Sequence, residues 1–128
     1  MSRSGVLHVF WVWGPLFAYA GIIFYLSSQS QVGWARFAPD YVEHAMEYGG
    51  LALLVARALN DGLATPVPRR RLLLAFLACL AYGVADEIHQ WFVPDRFADY
   101  TDVLSDATGA ALALGALRLV QSLRRKGA

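Results

Sequence analysis

An uncharged apolar run at residues 6–26, with His8 taken as neutral, constrains the fold of this chain more than any other feature of its sequence. As a helix it would be roughly 31 Å long, at about 1.5 Å per residue. Because the hydrocarbon core of a bilayer is about 30 Å thick, the run predicts a transmembrane helix. It exceeds the ~7–15 apolar residues of a signal peptide, so we expect a retained span.

The composition agrees with a membrane protein. Hydrophobic residues make up 57% of the 128-residue chain and charged residues 16%, whereas about 25% is ordinary for charged residues. The length suits one domain, which we take as residues 1–128. A net charge of +1 leaves no basic face, so nucleic acid is not expected as a partner. Cys79 is the single cysteine and is expected to be a buried packing thiol.

Three further spans are predicted at about 41–59, 72–93 and 100–120. The predicted fold class is therefore all-α, an integral membrane bundle of four transmembrane helices. Pro15 lies inside the first span, where it removes a backbone donor. A membrane helix tolerates this defect when a neighbour satisfies the freed carbonyl.

The distribution of positive charge predicts the orientation. Four spans place both termini and the 60–71 loop on one side of the membrane, leaving Arg36 and Arg96 on the other. The first side holds nine of the 11 Lys and Arg residues: Arg3, Arg57, Arg69, Arg70, Arg71, Arg118, Arg124, Arg125 and Lys126. By the positive-inside rule, the N-terminus and the C-terminus are expected to be cytoplasmic.

The later spans are expected to carry polar residues into the membrane at their outer ends. Their uncharged parts, 72–85 and 107–117, are shorter than the roughly 20 residues that a crossing needs. Helical spacing places these polar residues on shared faces with small neighbours: His44, Glu47, Tyr48 and Leu51; Gly83, Glu87 and Gln90, with Asp86 beside them; and Asp99, Asp102 and Asp106, continued by Gly109, Ala110 and Ala113. Ionisable groups in lipid are costly, so these faces should meet one another or a wet, outward-facing acidic cleft.

The cleft has three chemical interpretations. Carboxylates with His44, His89 and Gln90 suit a divalent ion such as Mg²⁺, Ca²⁺, Mn²⁺ or Zn²⁺, although no metal-ligand spacing motif is present. The candidate carboxylate ligands are Glu47, Glu87, Asp102 and Asp106. An acidic side chain beside His44 suits acid–base catalysis. Arg96, which follows a proline turn, suits bidentate binding of a phosphate or carboxylate.

A purely structural interpretation stays open beside these. Asp99 could cap the fourth span, a common role for aspartate. Arg96 could pair with Asp99 or Asp102, and Ser27 and Ser28 are expected only to end the first span.

The order and spacing of these residues resemble the VanZ-like family of small bacterial membrane proteins over nearly the whole chain. The matching segments are SSQ at 27–29, HAMEY at 44–48, DEIHQWFVPDR at 86–96 and DVLSDATG at 102–109. The run D-E-x-x-Q-x-F-V-P-x-R is the most specific of them. Asp95 departs from the family, which more often has a glycine after this proline. Glycine tightens the turn, so the conformation of this turn is the feature that the substitution affects.

The resemblance implies a multi-pass protein of the bacterial inner (cytoplasmic) membrane and a link to lower glycopeptide susceptibility, especially to teicoplanin. The polar motif residues of the family map onto His44, Glu47, Asp86, Glu87, Gln90, Arg96, Asp102 and Asp106. We expect catalytic roles for His44, Glu47, Asp86, Glu87, Asp102 and Asp106. The candidate substrate-binding residues are Gln90, Arg96, Tyr48 and Asp99.

The favoured function is a hydrolase or transferase that acts on a phosphate-bearing envelope lipid or a lipid-linked wall precursor, with a divalent metal ion as candidate cofactor. A non-catalytic protein that binds or shields an envelope component is the main alternative. An ion- or proton-coupled transporter is disfavoured because the chain has no inverted repeat. A soluble four-helix bundle is the structural fallback. Expected partners are membrane lipids, with a lipid-linked wall precursor or a glycopeptide as candidates, and the oligomeric state is undetermined by the sequence.

Overall fold

Four helices make up the chain: α1 (Arg3–Ser27), α2 (Asp40–Leu59), α3 (Arg69–Gln90) and α4 (Tyr100–Lys126). The computed structural model describes residues 3–30 and 39–127, and these ranges contain no strand. The all-α prediction is confirmed. Arg36, predicted on the outer side, lies outside the described residues.

The bounds of α3 differ from the predicted 72–93 at both ends. The helix begins three residues earlier because Pro68 is its N-cap and an extended residue before Arg69 suits a helix start. It ends at Gln90 because a turn follows, and the residue before Pro94 is sterically biased away from the helical region.

Consecutive helices run antiparallel. At one end of the bundle, Arg96 in the α3–α4 turn donates a hydrogen bond to the carbonyl of Leu26 near the end of α1. At the other end, His8 Nε2 lies 2.7 Å from Asp61 Oδ1. We call the first end, which holds the C-termini of α1 and α3 and the N-termini of α2 and α4, the site end.

Three of the four helices are long and apolar enough to cross a membrane, by length and composition: Gly5–Ser27, Arg69–Gln90 and Tyr100–Lys126. The prediction of four such helices is wrong for α2. Every stretch of 18 residues in α2 contains at least three charged residues from the set Asp40, Glu43, Glu47 and Arg57. Its sequence therefore lacks the apolar composition of a lipid-facing helix.

α2, the helix without a membrane-crossing stretch, is covered by the other three. α2 packs against α1, α3 and α4, and its buried side chains include Tyr48 and Leu51. The exposed large hydrophobic side chains lie mainly on the other three helices, including Phe10, Trp11, Phe17, Leu73, Leu77, Leu112 and Leu119. So much exposed apolar surface is unusual for a soluble monomer and is what lipid contact requires. The chain is a membrane protein, and the soluble fallback is not supported.

Small residues bring α2 and α4 into backbone contact. A Cβ atom on Gly109 would collide with the carbonyl of Ala45, and one on Gly49 would lie 3.3 Å from the Gly109 carbonyl oxygen. Such close approach is typical of membrane helices with small residues at their interface. It sets His44 of α2 against Asp106 of α4, one turn nearer the site end.

Candidate functional site

Six of the predicted site residues are buried together at the site end. They are His44 and Tyr48 on α2, Asp86, Glu87 and Gln90 on α3, and Asp106 on α4, and none is more than 8% exposed. The four others are less buried: Glu47, Arg96 and Asp102 are half-buried, and Asp99 is exposed. Burial of ionisable groups is costly unless they are paired, so the partner of each group decides what it can do.

His44 lies between two carboxylates of α4. Its Nδ1 atom is 2.9 Å from Asp106 Oδ1, within hydrogen-bond distance, and its Nε2 atom is 3.7 Å from Asp102 Oδ2. An ionised carboxylate can only accept, so Nδ1–H donates to Asp106. This bond fixes the orientation of the ring and leaves Nε2 directed toward Asp102.

Asp86 is held by two neutral donors. The Ser27 hydroxyl donates to Asp86 Oδ1 over 2.6 Å, and the Gln90 side-chain amide donates to Asp86 Oδ2 over 3.0 Å. Ser27 is itself buried, so this hydrogen bond joins α1 to α3 inside the bundle. The expectation that Ser27 only ends the first span was too narrow.

Ser28 and His89 make a second contact between α1 and α3. The Ser28 Oγ atom lies 2.9 Å from His89 Nε2, and the His89 ring stacks on Phe24 with centroids 4.4 Å apart. These contacts place His89 against α1, away from His44. The sequence had suggested His89 as a metal ligand, and its contacts with α1 were not predicted.

Arg96 binds the C-terminal part of α1. Its Nε donates to the carbonyl of Gln29 over 3.0 Å and its Nη2 to that of Leu26 over 3.1 Å, while Nη1 donates to Gln90 Oε1 over 3.3 Å. The Leu26 carbonyl also accepts from the backbone N–H of Gln29, so Arg96 gives it a second donor and supplies a donor to the Gln29 carbonyl just beyond the helix. Its guanidinium is thus directed at protein oxygens, and its predicted role in anion binding stays a prediction.

Asp99 and Glu87 organise the start of α4. The Asp99 side chain accepts a hydrogen bond from the backbone N–H of Thr101 over 2.9 Å, which makes it the N-cap. That backbone hydrogen bond holds the pKa of the Asp99 carboxyl below its ordinary value. In turn, the Asp99 backbone N–H donates to Glu87 Oε2 over 2.8 Å. The capping interpretation of Asp99 agrees with this geometry.

Two buried polar atoms have no hydrogen-bond partner within the described parts of the chain. They are the Tyr48 hydroxyl and Glu87 Oε1. The Tyr48 ring lies beside Gly83 together with Asp106, because a Cβ on that glycine would be 3.3 Å from Tyr48 Cε1 and 2.9 Å from Asp106 Oδ2. An unsatisfied buried polar atom costs about 1–3 kcal/mol, so these two mark a place where a ligand would be stabilising.

A possible metal-ligand set differs from the predicted one. One ligand atom from each of Asp40, His44 and Asp102 lies within 4.8 Å of the others. His44 was predicted as a ligand and belongs to this set, and of the predicted carboxylate ligands Glu47, Glu87, Asp102 and Asp106 only Asp102 does. Asp40 was missed, although it lies four residues before His44 and therefore on the same helical face.

Comparison with known proteins agrees with the motif resemblance. Residues 9–121 match the family model described as VanZ/LLP1. No curated protein and no solved structure is significantly similar to the chain.

Proposed function

The chain belongs to the VanZ/LLP1 family, and from this premise we propose that it is an enzyme of the bacterial inner membrane that acts on the polar head of an envelope lipid or a lipid-linked wall precursor. The reaction class is hydrolysis or group transfer at a phosphate-bearing headgroup. The site is the buried polar cluster at the site end.

One observation carries this proposal: ionisable and amide groups from three helices converge in an otherwise apolar membrane bundle. Ionisable residues inside membrane segments are costly and are commonly functional. Two polar atoms of the cluster, on Tyr48 and Glu87, lack partners in the described part of the protein. If the cluster only held the helices together, pairing these two atoms would make it more stable.

An apolar groove supports a lipid as the substrate class. It lies between α2 and α4, has a volume of about 460 Å³, and is lined by Tyr41, Val42, Ala45, Met46, Gly49, Gly109, Leu112 and Ala113. Its lining begins beside Asp40 at the site end. An alkyl chain in the groove would therefore bring its headgroup to Asp40, Asp102 and His44.

The pairing of His44 with Asp106 supports acid–base chemistry. A carboxylate that accepts from one ring nitrogen fixes the tautomer and orientation of the ring, as in hydrolases that use a histidine base. Nε2 would then exchange a proton with water or with the leaving group. Asp86 is satisfied by Ser27 and Gln90, so its contribution is to hold α1 and α3 in position.

We further propose that all four helices cross the membrane, with both termini in the cytoplasm and the site end outside. The cations of α3 and α4, such as Arg69 and Arg125, lie at the end opposite the cluster. The α3–α4 turn exposes Trp91, Phe92 and Phe97, residue types that are common at membrane interfaces. α2 would cross within the shelter of the other three. In a Cys79→Ser background, an impermeant maleimide should label Asp95→Cys but not Ser122→Cys on intact cells.

The proposed activity is tested with purified protein in nanodiscs and a panel of labelled lipids and lipid-linked wall precursors, with and without divalent metal ions. We expect turnover of at least one phosphate-bearing substrate and its loss in Asp106→Asn and Glu87→Gln. The matched control is Asp61→Asn at the opposite end of the bundle, which should retain the activity. No turnover across the panel, with binding intact, would refute the enzyme proposal.

A non-catalytic binding protein is the second candidate, because many polar atoms of the cluster are already paired within the chain, including those of Asp86 and Arg96. Such a protein would shield an envelope component and lower glycopeptide susceptibility. It predicts that Asp106→Asn leaves teicoplanin susceptibility unchanged, provided that ligand binding is retained. If this variant binds ligand but loses the cellular effect, the enzyme is favoured.

A further inference from the structure

We propose that Asp40, His44 and Asp102 bind a divalent transition-metal ion, with Zn²⁺ and Mn²⁺ as the candidate ions. Asp40 and Asp102 belong to the first turns of α2 and α4, and His44 follows Asp40 by one turn. The inference deepens the proposed function, on which any catalytic use of the ion rests. Binding of the ion does not require that the protein is an enzyme.

The distances among the three side chains suit one ion. Ligand atoms bound at about 2.0–2.2 Å cannot be more than about 4.4 Å apart. His44 Nε2 and Asp102 Oδ2 are 3.7 Å apart, which is inside this limit and too long for a hydrogen bond. The full set spans up to 4.8 Å, so binding needs only a small inward movement. Asp40 and Asp102 are half-buried.

Asp106 prepares His44 to act as a ligand. Metal-binding histidines commonly donate their second ring N–H to a carboxylate, which orients the ring and raises its basicity. The 2.9 Å contact between His44 Nδ1 and Asp106 Oδ1 has this arrangement, and both residues are buried. The nitrogen left for the metal is Nε2, the one that faces Asp102.

An unsatisfied oxygen at the start of α4, near Asp102, is a second observation that favours a bound cation. Glu87 is 7% exposed, and its Oε1 atom has no hydrogen-bond partner in the described residues, while Oε2 accepts from Asp99. Through this hydrogen bond Glu87 reaches the N-cap of α4, three residues before Asp102, so its side chain lies near the proposed site. A metal ion, or water bound to it, would satisfy this oxygen.

The ligand types select the class of ion. Mg²⁺ and Ca²⁺ prefer oxygen ligands only, whereas one imidazole and two carboxylates suit Zn²⁺ or Mn²⁺. Three protein ligands leave a coordination position open for water or for a phosphate oxygen, which is typical of catalytic rather than structural zinc sites.

Metal binding is measured on the full chain in detergent micelles after treatment with a chelator. Isothermal titration with Zn²⁺ and, separately, with Mn²⁺ should give one ion per chain for at least one metal. Asp102→Asn and Asp40→Asn should weaken binding at least tenfold, and Asp106→Asn by about 10–100-fold because the ring loses its orienting carboxylate. The matched control Asp61→Asn should bind like the unchanged protein, and thermal unfolding establishes that each variant is folded.

Two results would overturn the site. One is the absence of stoichiometric binding of either metal to the unchanged protein. The other is equal affinity in Asp102→Asn, Asp40→Asn and Asp61→Asn when all are folded. If either variant of a proposed ligand does not fold, the other decides. The titration needs no substrate, so the two proposals can fail separately. Stoichiometric metal binding without turnover would refute the enzyme proposal and leave the metal site standing. Turnover that resists the chelator, without metal binding, would refute the metal site and leave the enzyme proposal standing.

Discussion

Arg57 of α2 donates a hydrogen bond from Nη2 to the carbonyl oxygen of Trp11 in α1, over 2.9 Å. Trp11 lies four residues before Pro15, so proline has removed the N–H that would normally pair with this carbonyl. A second donor of Arg57, Nη1, reaches the Val12 carbonyl over 2.8 Å, and the guanidinium lies over the Trp11 ring. A charged residue of α2 thus donates to the carbonyl of α1 that Pro15 leaves without its helical partner.

Replacement of Arg57 by leucine should lower the free energy of unfolding by about 1–3 kcal/mol, the cost of an unsatisfied carbonyl. The measurement is unfolding in mixed detergent micelles. Pro15→Ala should recover part of this loss, since the restored N–H of residue 15 pairs with Trp11. Additive effects of the two substitutions would contradict the proposed relationship between these residues.

The contact of α2 with α4 should be intolerant of larger side chains. We expect Gly109→Leu to separate the helices and to abolish folding or to cost more than about 3 kcal/mol, because the new side chain meets the Ala45 backbone and not a flexible group. Gly115 on the same helix is the control, since a Cβ there has nothing within 4 Å. Thermal unfolding of both variants measures the difference, and equal losses would count against backbone contact.

Helical periodicity predicted much of this architecture because the spacing of residues along one helix determines which side chains share a face. The stripe of Asp102, Asp106 and Gly109 and the face of His44 and Tyr48 both turned inward. Their pairing across α2 and α4 follows once the small residues bring the helices together. The four helices confirm the all-α prediction, and the match over residues 9–121 confirms the family.

Side-chain periodicity could not predict two kinds of contact. One is a contact with backbone atoms, and the other is a contact between residues of different helices that lie at the same level along the bundle. Arg96 binds carbonyls of α1, and every residue has a carbonyl, so no pattern of side chains could identify its partners. The hydrogen bond from Ser27 to Asp86 joins two helices, and their residues are distant in sequence. Whether these residues lie at the same level of the bundle depends on the two loops between the helices. α2 was predicted as an apolar span although its own charged residues interrupt it, and one segment of sequence could not show that three neighbours cover it.

The α3–α4 turn should prefer glycine at position 95. Asp95 has φ 62°, in the left-handed region that most residues disfavour by about 1–2 kcal/mol and that aspartate tolerates better. Asp95→Gly should therefore leave stability unchanged or slightly raised, while Asp95→Val should lower it by roughly 1–2 kcal/mol. Chemical unfolding in micelles separates the two, and a fully tolerated valine would show that the turn is not left-handed.

The hydrogen bond from Ser27 to Asp86 should stabilise the junction of α1 and α3. In Ser27→Ala the buried carboxylate loses a donor, and we expect a loss of about 1–3 kcal/mol. Ser30→Ala is the matched control at an exposed position of the same segment. Unfolding of the two variants under identical conditions tests this, and equal stability of both would argue against a buried bond.

Tyr48 distinguishes a functional cluster from a structural one. Its ring is buried, but its hydroxyl has no partner among the described residues. Removal of an unsatisfied buried hydroxyl relieves a desolvation cost, so Tyr48→Phe should be as stable as the unchanged protein or more stable by up to about 1 kcal/mol. If the hydroxyl binds the substrate headgroup, the same variant should lose activity or ligand affinity by about tenfold or more. Paired measurements of unfolding and ligand binding test both halves. A variant that is less stable would mean that the hydroxyl has a partner within the protein, and one that is stable and fully active would remove Tyr48 from the site.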